Sequence, residues 1–240
     1  MQSKHIVPVS EYVFEIRYEA NPVVLDMRGG WADTLRSYMQ YKHWQILENR
    51  VEVKSHDELE KCFLTPGNAG YILLDTADTD KFTTQASRYL RKLMSLPGFG
   101  QQVYISRIGV RLRTCVEMHV KFSQLVSSFA SSYIQLTPKA EEAINATLVD
   151  VGAPLNFKDA LGNFNTSSGP MERDQIVQFF QRPNPERVAY PDVGLFYDID
   201  YFINPNMEMD AKSIVDKLEK FVEAAAQRHE KIVDLIAGGC

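Results

Sequence analysis

A long alternation of apolar and charged residues in the middle of the chain constrains the fold more than any other feature. Over residues 104–122 most apolar side chains occupy even positions and most charged side chains occupy odd positions. Successive side chains of a strand point to opposite faces, so the pattern predicts a long strand with one apolar and one charged face, bent or bulged near Thr114 and Cys115. The apolar set is Ile108, Val110, Leu112, Val116, Met118, Val120 and Phe122, and the charged set is Arg107, Arg111, Arg113, Glu117, His119 and Lys121.

Shorter patterns predict the elements before this strand. Alternation over residues 12–19 predicts a half-buried strand. Turn signals include Gly29-Gly30, after which helical spacing predicts a helix over 31–41. Three meandering strands are expected at 44–53, 58–64 and 70–75, followed by a helix that begins at Asp78 or Thr79 and ends near Leu96.

The second half is predicted in the same way. A short helix at 124–132 precedes a break at Pro138, and strands are expected at 144–151, 155–164, 175–180 and 193–203. Residues 163–170 and 182–191 have the composition of loops. An apolar stripe predicts a final helix over 211–236, and its pattern favours packing across a sheet over a dimer seam.

These elements predict an α+β fold: a largely antiparallel sheet in two strand-rich halves, with covering helices and a long C-terminal helix. At 240 residues the chain suits one large hydrophobic core. We therefore expect a single domain over 1–240, with two intimately packed halves, 1–132 and 133–240, as the alternative.

Charge and cysteine content limit the class of partner and the compartment. The net charge of -5 removes the general attraction that nucleic acid has for basic proteins, although a local basic groove stays open as an alternative. Cys62, Cys115 and Cys240 are too few and too far apart for a disulfide framework or a zinc ribbon. No run of about 18 apolar residues and no signal peptide are visible, so we expect a cytoplasmic protein without a membrane segment.

Three short motifs carry a resemblance to a known family. They are VFEIRY at 13–18, RIGVR at 107–111 and FYDID at 196–200. In this order they resemble the EIRF-like, RIGLR-like and LDID-like strands of a sporadically distributed family of uncharacterised prokaryotic proteins. The resemblance implies a prokaryotic protein associated with defence or mobile genes, and it implies no activity.

Two aspartates in the third motif are candidates for chemistry. Asp198 and Asp200 lie two residues apart on the predicted strand, so both carboxylates project from one face about 7 Å apart. Such a pair suits a metal ion or acid–base catalysis. No third acidic ligand accompanies the pair, however, and a structural charge network is the favoured interpretation.

The arginines of the second motif form the complementary candidate. Arg107, Arg111 and Arg113 lie on one strand face and could bind phosphate or carboxylate through paired hydrogen bonds. The alternative, which we favour, is that they pair with carboxylates of neighbouring strands. Those carboxylates would belong to Asp198, Asp200, Glu15 or Glu117.

Other combinations of reactive residues give weaker evidence for a functional site. Cys115, Glu117 and His119 share one strand face, but a nucleophile and its base normally come from different elements, so a structural role is favoured. The remaining histidines lack metal-ligand spacing, and Ser167-Ser168-Gly169 lacks the Lys-Ser/Thr ending of a phosphate loop. We therefore predict no catalytic residue, no metal site and no cofactor.

The favoured function is a non-enzymatic protein-binding or interaction protein, with self-association left open. The alternative is a nucleic-acid or phosphoryl-processing protein that uses the arginine stripe and the aspartate pair. The candidate binding residues are Arg107, Arg111, Arg113, Asp198 and Asp200.

Overall fold

The computed structural model describes residues 9–134 and 137–237. Within these residues the chain forms ten strands, six α-helices and one short 3-10 turn at Pro185–Arg187. The strands are β1 Val9–Tyr18, β2 His43–Ile46, β3 Val51–Lys54, β4 Glu60–Leu64, β5 Asn68–Leu74, β6 Gln102–Glu117, β7 Ala153–Lys158, β8 Asn163–Glu172, β9 Val193–Ile203 and β10 Met207–Asp210. The helices are α1 Val23–Met39, α2 Thr79–Met94, α3 Phe122–Tyr133, α4 Thr137–Ile144, α5 Arg173–Phe180 and α6 Ala211–Ala237.

All ten strands belong to one sheet. Its order is β2-β3-β4-β5-β1-β6-β9-β8-β7, and β10 pairs with the start of β6. Each pairing between the described strands is antiparallel. The predicted fold class, α+β with a largely antiparallel sheet and a long C-terminal helix, is confirmed. Strands from both predicted halves share this sheet, with the long strand β6 between them.

The main core lies on one side of the sheet, beneath α1, α2 and α6. Even-numbered residues of β1 and β6, such as Phe14 and Val110, point into it and are fully buried. Trp31 of α1, Phe82 of α2 and Phe221 of α6 meet them from above. At roughly 1.5–3 kcal/mol for each fully buried large apolar side chain, this layer supplies most of the driving force for folding.

The C-terminal helix is part of this core. Ile214, Leu218, Phe221 and Ala225 are each fully buried, which confirms that α6 packs on the sheet. The apolar face of α6 continues to the end of the helix, where Ile236 is fully buried, although Leu235, which was expected to belong to it, is 59% exposed.

Several predicted elements of the first half were wrong in detail. Gly29-Gly30 lies inside α1 rather than before it, because burial of Trp31 and Leu35 on one face outweighs about 1 kcal/mol of glycine propensity per residue. The strand predicted at 44–53 is a hairpin of β2 and β3, which a hydrogen bond from Leu47 N to Arg50 O closes at 2.8 Å.

The long strand also differs from its prediction. It ends at Glu117 instead of residue 122, because Lys121 caps the start of α3. The irregularity expected near Thr114 and Cys115 lies at Ser106 instead, where the pairing with β1 shifts by one residue.

Three of the strands predicted in the second half are not single strands. Residues 146–152 form no regular element, since α4 ends at Ile144 and Asn145 adopts a left-handed φ of 51°. Residues 175–180 are helical, because the Glu172 and Gln175 side chains form a capping box at the start of α5. The predicted strand at 155–164 is the hairpin of β7 and β8. Its turn is held by the Asp159 carboxylate, which accepts from the backbone N–H of Leu161 at 2.8 Å.

The supposed loop at 163–170 is β8 itself. Its small polar residues have low strand propensity, but it lies between β7 and β9 and so finds a backbone partner on both sides. The sequence also failed to indicate β10.

Candidate functional site

Few of the residues that the structure describes cover the side of the sheet opposite the main core. Helix α5 packs over one end of it, where Ile176 and Phe180 bury Val9, Cys115 and Phe196. Beyond α5 the side chains of β1, β6, β9 and β8 form a surface that we call the open face. Its residues are Glu11, Val13, Glu15, Arg17, Arg107, Gly109, Arg111, Arg113, Asp198, Asp200, Phe202, Asn163, Asn165 and Ser167.

Arg107 and Asp200 form the first charge pair of the open face. Arg107 Nη2 donates to both carboxylate oxygens of Asp200, at 2.7 and 2.9 Å, and Nη1 lies 3.6 Å from Glu15 Oε1. The guanidinium also stacks on the Phe202 ring, 4.8 Å from its centroid. It lies directly above Gly109, where an added Cβ would come within 2.9 Å of Arg107 Cζ. The glycine in the RIGVR motif therefore makes room for the arginine two residues before it.

Arg111 and Asp198 form the second and more buried pair. Arg111 Nε donates to Asp198 Oδ1 at 2.8 Å, and Nη2 donates to Oδ2 at 2.5 Å. The Asp198 side chain is only 7% exposed, whereas that of Arg111 is 41% exposed. The hydrogen bond with Asp198 raises the pKa of Arg111, although partial burial acts in the opposite direction. Asp198 is therefore an anchored carboxylate, and Arg111 presents part of its guanidinium to solvent.

Arg113 joins this pair to β1. Its Nη1 donates to Glu11 Oε1 at 2.6 Å, while its Nε lies 3.4 Å from Asp198 Oδ2. The predicted pairing of the arginine stripe with Asp198, Asp200 and Glu15 is therefore present. Glu117 takes no part in these pairs, and the structure adds Glu11 instead.

A buried arginine that the sequence did not indicate completes the network. Arg182 follows α5, its side chain is 1% exposed, and its Nε donates to both oxygens of Asp75 at 2.9 and 3.0 Å. It also donates to the backbone carbonyls of Phe180 and Ser10, and it lies 4.0 Å from Glu11 Oε2. A single arginine in a loop has no periodic signal, so sequence reasoning had no means to find it.

The network is balanced in charge. Its five arginines meet five carboxylates, since each arginine side chain has at least one carboxylate within 4.0 Å. The arginines are Arg17, Arg107, Arg111, Arg113 and Arg182, and the carboxylates are Glu11, Glu15, Asp75, Asp198 and Asp200. Consequently the stripe does not present a free positive field, and the aspartate pair is already occupied by guanidinium donors.

A second glycine shapes the neighbouring part of the same surface. Gly70 of β5 lies beneath the ring of Phe63, and an added Cβ there would come within 2.6 Å of Phe63 Cζ. Arg50 in turn stacks on that ring at 4.5 Å and donates to Glu52 at 2.7 Å. Between this stack and the arginine stripe is a shallow depression of about 290 Å³, whose lining includes Val13 and Arg111.

The remaining candidates do not assemble into a reactive site. Burial raises the pKa of the Cys115 thiol to about 12, so the thiolate is disfavoured at neutral pH. His119 lies beyond the end of β6, is 85% exposed, and has Glu117 as its neighbour at 4.0 Å. Within residues 9–134 and 137–237 no group of three or more His, Cys, Asp or Glu side chains could hold a metal ion.

Comparisons with known proteins show no family for this chain. No protein-family model matches the chain, and the curated proteins contain no significant match. None of the helices in the described part of the chain is long and apolar enough to cross a bilayer. The fold and the open face therefore define a class only: an α+β protein with one helix-covered and one charged, largely uncovered face on a ten-stranded sheet.

Proposed function

We propose that this chain is a protein-binding protein that uses the open face. The observation that carries the proposal is the balanced network, in which arginines lie in neutral pairs on an uncovered sheet. A protein surface with its own mixture of charges and apolar groups suits such a face, because interfaces gain specificity from complementary pairs rather than from net charge.

Two arginines supply the most exposed donors of this face. The side chain of Arg17 is 56% exposed and that of Arg111 is 41% exposed. Arginine is enriched among the residues that contribute most to protein interfaces, since its planar group can stack and form several hydrogen bonds at once. Each of the two is held in place by a carboxylate, so little conformational entropy is lost when a partner binds.

The balanced charge of the open face also favours a protein partner over a nucleic-acid partner. Binding to nucleic acid draws on cations that neutralise phosphates and release counterions. Here a phosphate would have to displace Asp198 or Asp200 from guanidinium groups that they already bind. The alternative function, a nucleic-acid or phosphoryl-processing protein, is therefore less favoured, because phosphate would have to compete with these carboxylates for the guanidinium groups.

The family resemblance enters the proposal as context. The VFEIRY, RIGVR and FYDID motifs all lie in the three adjacent strands β1, β6 and β9 that build the open face. We extend the proposal accordingly to a prokaryotic protein of defence or mobile genes, whose partner is another protein or a second copy of this chain.

The test is quantitative capture from an extract of the source organism with a matched pair of variants. The face variant is Arg17→Glu with Asn165→Glu, both exposed residues of the open face. The control variant is Lys220→Glu with Asn49→Glu, which makes the same change of charge at exposed positions off this face. A partner that wild type and control retain in stoichiometric amounts, and that the face variant loses at least about tenfold, supports the proposal. Equal retention by both variants contradicts it.

The same preparations test the alternative. Co-purified nucleic acid, seen as a raised ratio of absorbance at 260 to 280 nm, would favour nucleic-acid binding. So would binding to an oligonucleotide that weakens steeply with salt, because counterion release makes affinity fall with salt concentration.

A further inference from the structure

A cleft of about 750 Å³ lies on the helix-covered side of the sheet, between α2 and α6. Its floor is made by Tyr12 of β1 and by Leu112 and Thr114 of β6. Tyr12 and Leu112 are direct partners in the β1–β6 pairing, so the floor is a rigid part of the sheet. The volume falls within the range of about 300–1,000 Å³ that is usual for small-molecule sites.

The lining of the cleft is acidic on both walls. Asp80 of α2 faces Glu219, Glu223 and Glu230 of α6. Within the described residues none of these four carboxylates has an ion-pair partner, in contrast to the paired carboxylates of the open face.

The floor supplies no cation to balance this charge. His229 also lines the cleft and lies 2.5 Å from Thr114 through its Nε2. Burial lowers the pKa of His229 to about 4, so the imidazole is neutral at pH 7. Among the described residues that line the cleft there is no lysine or arginine.

A tyrosine hydroxyl without a partner points to a ligand independently of these carboxylates. Tyr12 is only 6% exposed and lines the cleft, and within the described residues its hydroxyl has no hydrogen-bond partner. The buried hydroxyls of Tyr71 and Tyr89, by comparison, donate to Glu60 and to the Phe63 carbonyl at 2.9 and 2.6 Å. The Tyr12 ring is buried while its hydroxyl reaches the open volume of the cleft, so the hydroxyl is a free acceptor for a donor there.

We propose that the cleft between α2 and α6 binds a small aliphatic oligoamine, a molecule with two or more protonated amines on a flexible hydrocarbon chain. Ammonium groups only donate hydrogen bonds, and the cleft offers carboxylates and the Tyr12 hydroxyl as acceptors. The methylene chain between them would contact apolar groups of the lining, namely the Tyr12 ring, Leu112, Val222 and Ala226. This site is on the opposite side of the sheet from the open face, so the proposal does not rest on the proposed function.

The test is calorimetric titration of the full chain with spermidine at pH 7. We expect saturable binding to one site. Glu223→Gln with Glu230→Gln removes two exposed carboxylates of the lining and is expected to weaken binding about tenfold. Tyr12→Phe keeps the ring, removes only the hydroxyl, and is expected to weaken binding about fivefold. A matched control, Glu48→Gln with Glu208→Gln, removes two exposed carboxylates elsewhere and should bind as wild type does.

Three results would overturn the proposal. One is the absence of saturable binding to wild type. Another is equal weakening by the cleft pair and the control pair, which would show attraction by net charge alone. The third is that Mg²⁺ at matched ionic strength displaces spermidine completely, because screening is then constant and any small cation would satisfy the carboxylates equally well. Circular dichroism of each variant verifies that the fold is intact.

Discussion

Removing Arg111 should destabilise the protein more than removing the aspartate to which it is bound. The reason is the difference in burial within the pair, since the Asp198 side chain is 7% exposed and that of Arg111 is 41% exposed. In Arg111→Ala the Asp198 carboxylate stays buried and keeps only the 3.4 Å contact with Arg113. In Asp198→Ala the guanidinium of Arg111 can turn towards water, while Arg113 keeps its 2.6 Å bond to Glu11.

The magnitudes follow from this geometry. Breaking a buried pair so that one charge is left behind typically costs about 3–5 kcal/mol. Because Arg111 is partly exposed and water can enter where it was, we expect about 2–3 kcal/mol for Arg111→Ala and about 1 kcal/mol for Asp198→Ala. The double variant leaves no buried charge from this pair, so it should be more stable than Arg111→Ala alone. That ordering corresponds to a coupling energy of about 1–2 kcal/mol.

The assay is urea unfolding at 25 °C, with free energies from linear extrapolation. Arg17→Ala is the matched control, since its pair with Glu15 is 56% exposed on the arginine side and should cost less than about 0.5 kcal/mol. If the two single variants lose as little as the control and their effects add, Asp198 is not an anchored carboxylate. If Asp198→Ala is the more costly of the two, the asymmetry of burial does not govern the pair.

Three further variants test other parts of the structure. Gly70→Ala should lower the free energy of unfolding by about 1–3 kcal/mol in the same assay, because its Cβ would meet both the backbone carbonyl oxygen of Phe14 and the Phe63 ring. An unchanged value would show that β1 and the ring both adjust to the added methyl group. Arg182→Ala should cost about 3–5 kcal/mol by leaving Asp75 without its buried partner, and Arg182→Lys should restore little of it because lysine cannot form the paired bonds. Burial lowers the pKa of His229 from 6.5 to about 4, so the unfolded chain binds this proton more readily than the folded chain does. The contribution of His229 to the free energy of unfolding is therefore complete above pH 6.5 and should fall towards pH 4 by on the order of 3 kcal/mol. Unfolding of His229→Gln across this range should lack that part of the fall, and the same slope in both proteins would exclude His229 as its source.

Long elements with a sustained period were predictable from the sequence. The strand expected at 193–203 is β9, with the same two ends, and the final helix differs from its prediction by one residue. In both, many residues repeat the same pattern, so local exceptions do not change its period.

Short elements depended on information that periodicity does not carry. In α5 the apolar residues Ile176, Val177, Phe179 and Phe180 fit a short strand as well as a helix, and only the capping box of Glu172 and Gln175 decides between them. In β8 the deciding factor is tertiary, because Phe164, Thr166 and Ser168 alternate in burial only when β7 and β9 lie on either side. Asparagine, serine and glycine conceal that alternation in the sequence.

The charged site was predictable in its residues and only partly in its partners. Arg107, Arg111, Asp198 and Asp200 were indicated because opposite charges recur with period two on strands that could be neighbours. Which carboxylate each arginine binds depends on register. Arg111 lies directly opposite Asp200 in the ladder and yet binds Asp198, the diagonal neighbour. Whether an arginine binds its direct or its diagonal neighbour depends on how the long side chains lie in three dimensions. The sequence pattern does not encode this.

The same unequal burial links stability to recognition on the open face. An aspartate side chain that is 7% exposed can fix an arginine but can hardly contact a partner, whereas an arginine side chain that is 41% exposed can do both. Asp198 therefore serves to position, and Arg111 is the group of this pair that a partner would touch. It follows that Arg111→Lys should retain the positive charge and lose the paired geometry. If recognition requires that geometry, binding should weaken in Arg111→Lys, while Arg91→Lys, the same change at an exposed arginine of α2 away from the open face, should bind as wild type does.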